Sequence, residues 1–119
     1  MVSLDVVIPV LNEEHSLPLC IDKLKAFLDK EMDEYDCRIV IADNGSTDRT
    51  WQLAETYAYQ YPERISCIHL DERGRGRALK KAWSSSDRDI LCYMDVDLST
   101  SLEYFSPLVK AISEEGCHI

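Results

Sequence analysis

The sequence predicts an α/β protein: a mostly parallel sheet with helices on both faces. Three observations predict it. Residues 4–10 (LDVVIPV) are almost continuously apolar, as a central parallel strand is when both of its faces are covered. Strand-like runs then alternate with segments whose apolar residues recur at helical spacing. Polar residues gather directly after each strand-like run, where open parallel sheets bind ligands.

After the first strand, a loop over residues 11–15 leads to Ser16, a capping residue type. Leu17, Ile21, Leu24 and Leu28 follow on one helical stripe. Pro18 falls in the first turn, where a missing N–H is tolerated. The second strand covers residues 37–42 and ends on Asp43. Asn44-Gly45 makes a tight turn, and Ser46, Thr47 and Asp48 offer caps for a helix to about Tyr61, stopped by Pro62. Residues 65–70 form the third strand. A polar loop holding Gly74 and Gly76 leads into a helix through Ala78, Leu79, Ala82 and Trp83. The fourth strand, residues 89–94, ends at Asp95. Thr100 and Glu103 read as a capping box for a helix that buries Leu102, Phe105, Val109 and Ile112, and Gly116 closes it. Residues 117–119 read as the start of another strand. The chain is therefore expected to be the incomplete front part of a longer domain, with an unpaired sheet edge that favours dimerisation or aggregation.

Composition narrows the function. With 119 residues, 45% hydrophobic and 29% charged, the chain has enough material for one domain with a real core. No apolar run approaches the roughly 18 residues that span a bilayer. Residues 1–10 do not read as a signal peptide, having no basic lead and an apolar run cut by Pro9 and Asn12. A net charge of −9 argues against nucleic-acid binding. Yet Arg73, Arg75, Arg77, Lys80 and Lys81 cluster without an intervening acid, which suits a local anionic ligand. The five cysteines are scattered, form no CxxC pair and read as reduced buried thiols of a cytosolic protein. His15, His69 and His118 lack ligand spacing and read as structural or incidental. Trp51 and Trp83 sit at helical apolar spacing and read as core.

The chemistry is expected on the rim formed by the loops after the strands. Asp95 and Asp97 lie two residues apart, so in extended geometry their carboxylates point the same way. They repel unless a cation joins them, and Mg²⁺ or Mn²⁺ is the hard, oxygen-seeking candidate. The plainer alternative is that Asp95 ends the strand and Asp97 caps a turn. Gly74 and Gly76 let the backbone approach a ligand, the next helix N-terminus favours an anion, and the arginines can grip phosphate oxygens. The plainer alternative there is a solvated charged helix face. The segment is neither a dinucleotide fingerprint nor a Walker loop. Asp43 can accept from a nucleobase N–H or a ribose hydroxyl, or can simply cap the turn. Asn12, Glu13 and Glu14 carry the same ambiguity.

Four segments together resemble the family 2 glycosyltransferases of the Rossmann-like GT-A fold, and more narrowly the dolichyl-phosphate mannose and glucose synthases. They are residues 6–14 (VVIPVLNEE), 39–50 (IVIADNGSTDRT), 73–83 (RGRGRALKKAW) and 93–100 (YMDVDLST), and the likeness covers essentially the whole chain. The resemblance implies that residues 1–119 are the N-terminal, nucleotide-sugar-binding part of a GT-A catalytic domain. It implies that Pro9, Asn12, Glu13, Glu14, Asp43 and Asn44 line the nucleoside pocket. Gly74, Gly76 and Arg77 would lie near the diphosphate and sugar. Asp95 and Asp97 would form the Asp-x-Asp site for Mg²⁺ or Mn²⁺, with Asp95 also facing substrate and Asp97 tied to catalysis. Asn44 replaces a second aspartate common in the family, and Ser99 stands where many mannose synthases have a glutamine.

The implied reaction moves a hexose from GDP- or UDP-hexose to an acceptor, a polyprenyl phosphate by the resemblance, with inversion. The implied location is the cytoplasm, at the cytoplasmic membrane face for the full-length protein. Two rivals stand beside this reading. One is a phosphatase of the haloacid-dehalogenase type, in which an Asp-x-Asp also follows a strand. The other is a nucleotide-binding fragment without turnover.

Overall fold

A computed structural model describes residues 2–69, 88–96 and 107 of the chain. The elements run β1 (Ser3–Val10), α1 (Leu17–Glu31), β2 (Asp36–Asp43), α2 (Thr50–Gln60), β3 (Ile65–His69) and β4 (Ile90–Tyr93). The strands form one sheet in the order β3-β2-β1-β4. Every pairing is parallel. The sheet is therefore the one the alternating pattern predicts, with β1 at its centre on the run that is most continuously apolar.

The alternation of side chains along β1 divides the core. Leu4, Val6, Ile8 and Val10 join Ile39 and Ile41 of β2, the stripe Leu17, Cys20, Ile21, Leu24 and Leu28 of α1, and Ala54 of α2. Val7 packs on the opposite face with Val40, Ala42 and Ile68. Both described helices thus cover one face. The helix expected over residues 78–83 and the strand start at 117–119 lie outside the described residues. Of the helix expected behind Thr100, only Pro107 is described, in helical conformation. Among the described residues, no helix is long and apolar enough to cross a membrane.

Two expectations need correction. Ser16 precedes α1 but makes no side-chain cap. Its backbone is helical rather than extended, Pro18 at N2 has no N–H to offer, and the Ser16 and Leu17 amides bond to the Glu13 carbonyl, at 3.2 and 2.9 Å. Asp89 does not open β4. Its Oδ2 accepts from the amide and hydroxyl of Ser3, at 2.9 and 3.1 Å, tying the start of β1 to the segment before β4. These Ser3 bonds hold the Asp89 carboxyl below its ordinary value. β3 is described to His69, one residue short of the expected end.

Pro9 lies inside a central strand, where proline would normally remove a ladder bond. The ladder explains its place. The Val7 carbonyl accepts from Met94 N–H at 3.0 Å, and the Val10 carbonyl accepts from Asn44 N–H at 2.9 Å. Alternate residues of β1 therefore face β4 and β2. Pro9, in step with Val7, faces the β4 side beyond Tyr93, the last residue of β4 paired to β1. Its missing N–H thus falls where the described β1–β4 pairing ends.

Of the five cysteines expected to be buried thiols, Cys20, Cys37 and Cys92 are buried and Cys67 is half-buried, all four free thiols, while Cys117 lies outside the described residues. Burial pushes Cys37 up to about 11 and Cys92 up to about 12. Such thiols are packing residues rather than nucleophiles.

The opposite face carries a buried ion network that spacing does not announce. Asp5 is 1% exposed. Arg38, its register partner on β2, grips it bidentately, with Nε to Oδ1 at 3.0 Å and Nη2 to Oδ2 at 2.9 Å. Arg88 adds Nε at 3.4 Å from Asp5 and bridges on to Asp36 at 2.7 Å. Removing one partner leaves a buried carboxylate underpaired, whereas removing both charges does not. Arg38→Met is expected to cost about 2 kcal/mol of stability, and Asp5→Leu/Arg38→Met to recover part of that loss, as read from urea unfolding midpoints.

Candidate active site

The strand order places a topological switch at β1. The chain steps outward from β1 to β2 and β3, then returns to the other side of β1 as β4. In such sheets the crevice lies beyond the carboxyl ends of the strands flanking the switch. Those ends carry Asn12, Glu13 and Glu14 after β1, Asp43 and Asn44 at the end of β2, His69 at the end of β3 and Asp95 after β4.

The loops after β1 and β2 are locked together by side-chain-to-backbone hydrogen bonds. The Asn12 amide donates to Ser46 Oγ at 2.9 Å, and the Ser46 hydroxyl donates in turn to Asp43 Oδ1. The Glu13 amide donates to Thr50 Oγ1 at 2.8 Å, and that hydroxyl donates to Asp48 Oδ1. The Glu14 amide reaches Asp48 Oδ2 at 3.4 Å. In the other direction, Asn12 Oδ1 accepts from the Thr47 and Asp48 amides, at 2.8 and 3.3 Å. Three consecutive amides of one loop are thus satisfied by Ser46, Asp48 and Thr50 of the other, and Asn12 takes a positive φ of 53° to make the turn.

The cap expected from Ser46, Thr47 or Asp48 is not made: Arg49 is the N-cap residue of α2 and its side chain caps nothing, while Asp48 Oδ1 accepts from the Thr50 amide at 2.9 Å in the turn that leads into the helix. Burial opposes ionisation of Asp48, but the bonds from the Thr50 hydroxyl and amide outweigh it and lower its pKa.

Asp43 is fully buried. Oδ1 receives the Ser46 hydroxyl, the Ser46 amide lies at 3.3 Å from it, and Oδ2 lies 2.8 Å from His69 Nδ1. Asp43 and His69 are register partners across the β2–β3 ladder. The His69 ring sits 4.8 Å from that of Trp51, tilted by 40°. Trp51 is partly buried and packed on the main core, in keeping with its helical spacing. His69, by contrast, is no incidental histidine: it partners a buried carboxylate at the rim. A search for spacing among histidines misses it, because its partner is an aspartate on the neighbouring strand.

Asn44 is 5% exposed, and its Oδ1 has no hydrogen-bond partner among the described residues. A buried acceptor left unmade costs free energy, so its place beside Asp43 suits a donor arriving from a ligand.

The sequence-derived site residues divide as follows. Pro9 is buried opposite Ala42, and Asn12 turns its amide oxygen into the loop lock. Glu13 and Glu14 keep half-exposed side chains, Glu14 with His15 3.9 Å away. Asp43 and Asn44 lie together at the end of β2, while Asp95 is exposed beyond β4 on the other side of β1. Gly74, Gly76, Arg77 and Asp97 lie outside the described residues. Among the described residues no group of three or more His, Cys, Asp or Glu gathers to hold a metal. Asp95, exposed at the strand end where the Asp-x-Asp pair begins, carries a carboxylate, the hard oxygen type that divalent cations take.

Comparison with known proteins bears on this rim. The family profile described as Glycosyl transferase family 2 matches residues 5–119. The chain is 32% identical over 116 residues to Glycosyltransferase AglD of Haloferax volcanii, covering 93% of this chain and 18% of that protein. It is 31% identical over 117 residues to the dolichyl-phosphate beta-glucosyltransferase of Mus musculus, covering 93% of this chain and 36% of that protein. The chain therefore spans little more than a third, at most, of either relative's length. Among solved structures it is similar to the mannosyltransferase PcManGT from Pyrobaculum calidifontis in complex with GDP-Man and Mn²⁺. That match has a TM-score of 0.75 and 24% identity, over 92% of this chain and 32% of the other. The shared fold is the Rossmann-like GT-A fold. The comparisons lend no support to a phosphatase.

Two outcomes follow from the rim. A depressed aspartate contributes stability above its unfolded pKa and loses it as pH falls through the lowered folded value. The stability gap between the parent chain and Asp48→Asn is expected to be full at neutral pH and to close below about pH 4, in urea titrations at both pH values. Asn44→Leu removes an unmade acceptor, and is expected to leave the melting temperature unchanged or raise it, corresponding to a gain of up to about 1 kcal/mol.

Proposed function

The chain belongs to glycosyl transferase family 2, and from that premise we propose that residues 1–119 supply the donor-binding part of an enzyme that moves a hexose from a GDP- or UDP-hexose to a polyprenyl phosphate. The observation that carries this reading is the topological switch at β1, which sets the Asp43–Asn44 end of β2 and Asp95 on the same carboxyl rim. The relatives support the acceptor class, one being named for dolichyl phosphate. The working place proposed is the cytoplasmic membrane face, where a polyprenyl phosphate presents its headgroup.

The residues divide the work. Asp43 and Asn44 offer acceptors to the nucleoside, and the locked loop after β1 forms the adjoining wall. Arg77 and the Gly74–Gly76 backbone bind the diphosphate oxygens, cations and amides being the groups that hold phosphate. Asp95 and Asp97 would hold Mg²⁺ or Mn²⁺, which when bound neutralises charge on the departing diphosphate. An acceptor phosphate oxygen attacks the anomeric carbon on the face opposite the diphosphate, so the configuration inverts. That oxygen is already anionic near neutral pH and needs no general base from the chain.

Calorimetric titration of GDP-mannose and UDP-glucose into the full chain, with and without Mn²⁺, tests the donor reading. One nucleotide sugar is expected to bind only with Mn²⁺, and Asp95→Ala is expected to weaken it by about tenfold or more. Binding that ignores both the metal and Asp95→Ala would refute the assignment of the metal site. Transfer by the full-length enzyme to saccharides alone, with none to dolichyl phosphate, would refute the lipid acceptor.

A further inference from the structure

We infer that His69 is a positioning residue for the donor nucleotide, holding the buried Asp43 carboxylate through Nδ1 so that the end of β2 keeps one geometry toward the nucleoside. The inference rests on the donor reading above and adds to it a residue that the reading does not use.

Four observations carry it. Asp43 is 0% exposed, so its carboxylate takes its orientation from protein partners rather than from water. Ser46 holds Oδ1 through its hydroxyl and reaches both oxygens with its amide, at 3.3 and 3.4 Å, while His69 Nδ1 lies 2.8 Å from Oδ2 as the shortest contact that oxygen makes. The imidazole is itself placed, by the β2–β3 register beneath it and by the Trp51 ring at 4.8 Å. Finally, the next residue along, Asn44, presents a buried Oδ1 without a partner among the described residues, which marks this strand end as a place where a ligand donor is wanted.

The chemistry is that of a carboxylate–imidazole pair. With Asp43 accepting from Nδ1–H, the imidazole tautomer and ring plane are fixed, and the carboxylate is fixed in return. Without His69, Oδ2 keeps only the long 3.4 Å bond from the Ser46 amide, and the carboxylate can rotate about its Ser46 contacts or draw the Asn44 side chain toward it. Either change removes a prearranged acceptor from the nucleoside. His69 touches Asp43 rather than the reacting atoms, so its effect belongs to donor affinity rather than to the bond-breaking step.

Three substitutions separate this role from simple packing. His69→Leu removes the donor. His69→Asn restores an N–H close to the Nδ1 position, while His69→Gln places its N–H farther out, near Nε2. Donor affinity is measured by calorimetry with GDP-mannose and UDP-glucose plus Mn²⁺ on the full chain, beside a melting curve for each variant. His69→Leu and His69→Gln are expected to bind about tenfold more weakly or worse, and His69→Asn within about threefold of the parent. If His69→Leu fails to fold, the Asn and Gln pair decides alone. Equal affinity in the parent and all folded variants would overturn the inference and leave the donor reading intact. Equal loss in Asn and Gln would also overturn it, since packing against Trp51 would then be what matters. A folded parent that binds neither nucleotide sugar would overturn the donor reading, and the inference with it.

Discussion

The structure depends on β1 being paired on both sides in one register. Its even residues bond toward β2 and fill the helix-covered core, while its odd residues bond toward β4 and face the other way. A one-residue slip would send Leu4, Val6 and Ile8 to the wrong face and bring Asp5 into the aliphatic core. Asp5 makes that slip costly in its own right, because its carboxylate is gripped by Arg38 directly across the ladder. Register, core and ion pair thus specify one another.

The same register sets the rim. Because β2 and β3 run parallel to β1 and start at fixed offsets, Asp43 ends beside Val10 and His69 ends beside Asp43. The polar cluster at the carboxyl end is a consequence of where three strands stop. The two ends of the sheet divide their labour accordingly. Ion pairs among Asp5, Arg38, Arg88 and Asp36 fasten the amino-terminal half, and hydroxyl relays through Ser46 and Thr50 organise the carboxyl-terminal rim.

Much of this was legible in the sequence, for physical reasons. A run apolar at nearly every position is best satisfied by a strand covered on both faces, so β1 and the parallel sheet were readable. The stripe Leu17–Ile21–Leu24–Leu28 permits only a helix with one buried face. The rim was readable as a place, because polar turn residues after apolar strands collect at the carboxyl edge. Its wiring was not. The Asn12 side chain holds residues 47 and 48 across more than thirty positions of sequence, and no local pattern distinguishes such a strut from a ligand contact. His69 was missed because its partner is set by strand pairing and not by spacing. Ser16 was misjudged because its backbone is already helical, with φ −87° and ψ −30°, and Pro18 at N2 offers no N–H for its hydroxyl to meet.

The loop lock reaches into kinetics. The amides of Asn12, Glu13 and Glu14 are bonded to side chains of the neighbouring loop, so the fold itself orders this segment. A ligand meeting a preordered wall forfeits little conformational entropy there. Under the proposed donor reading, its arrival would be governed by diffusion and charge, and nucleotides that fit this wall unequally would differ chiefly in how long they stay.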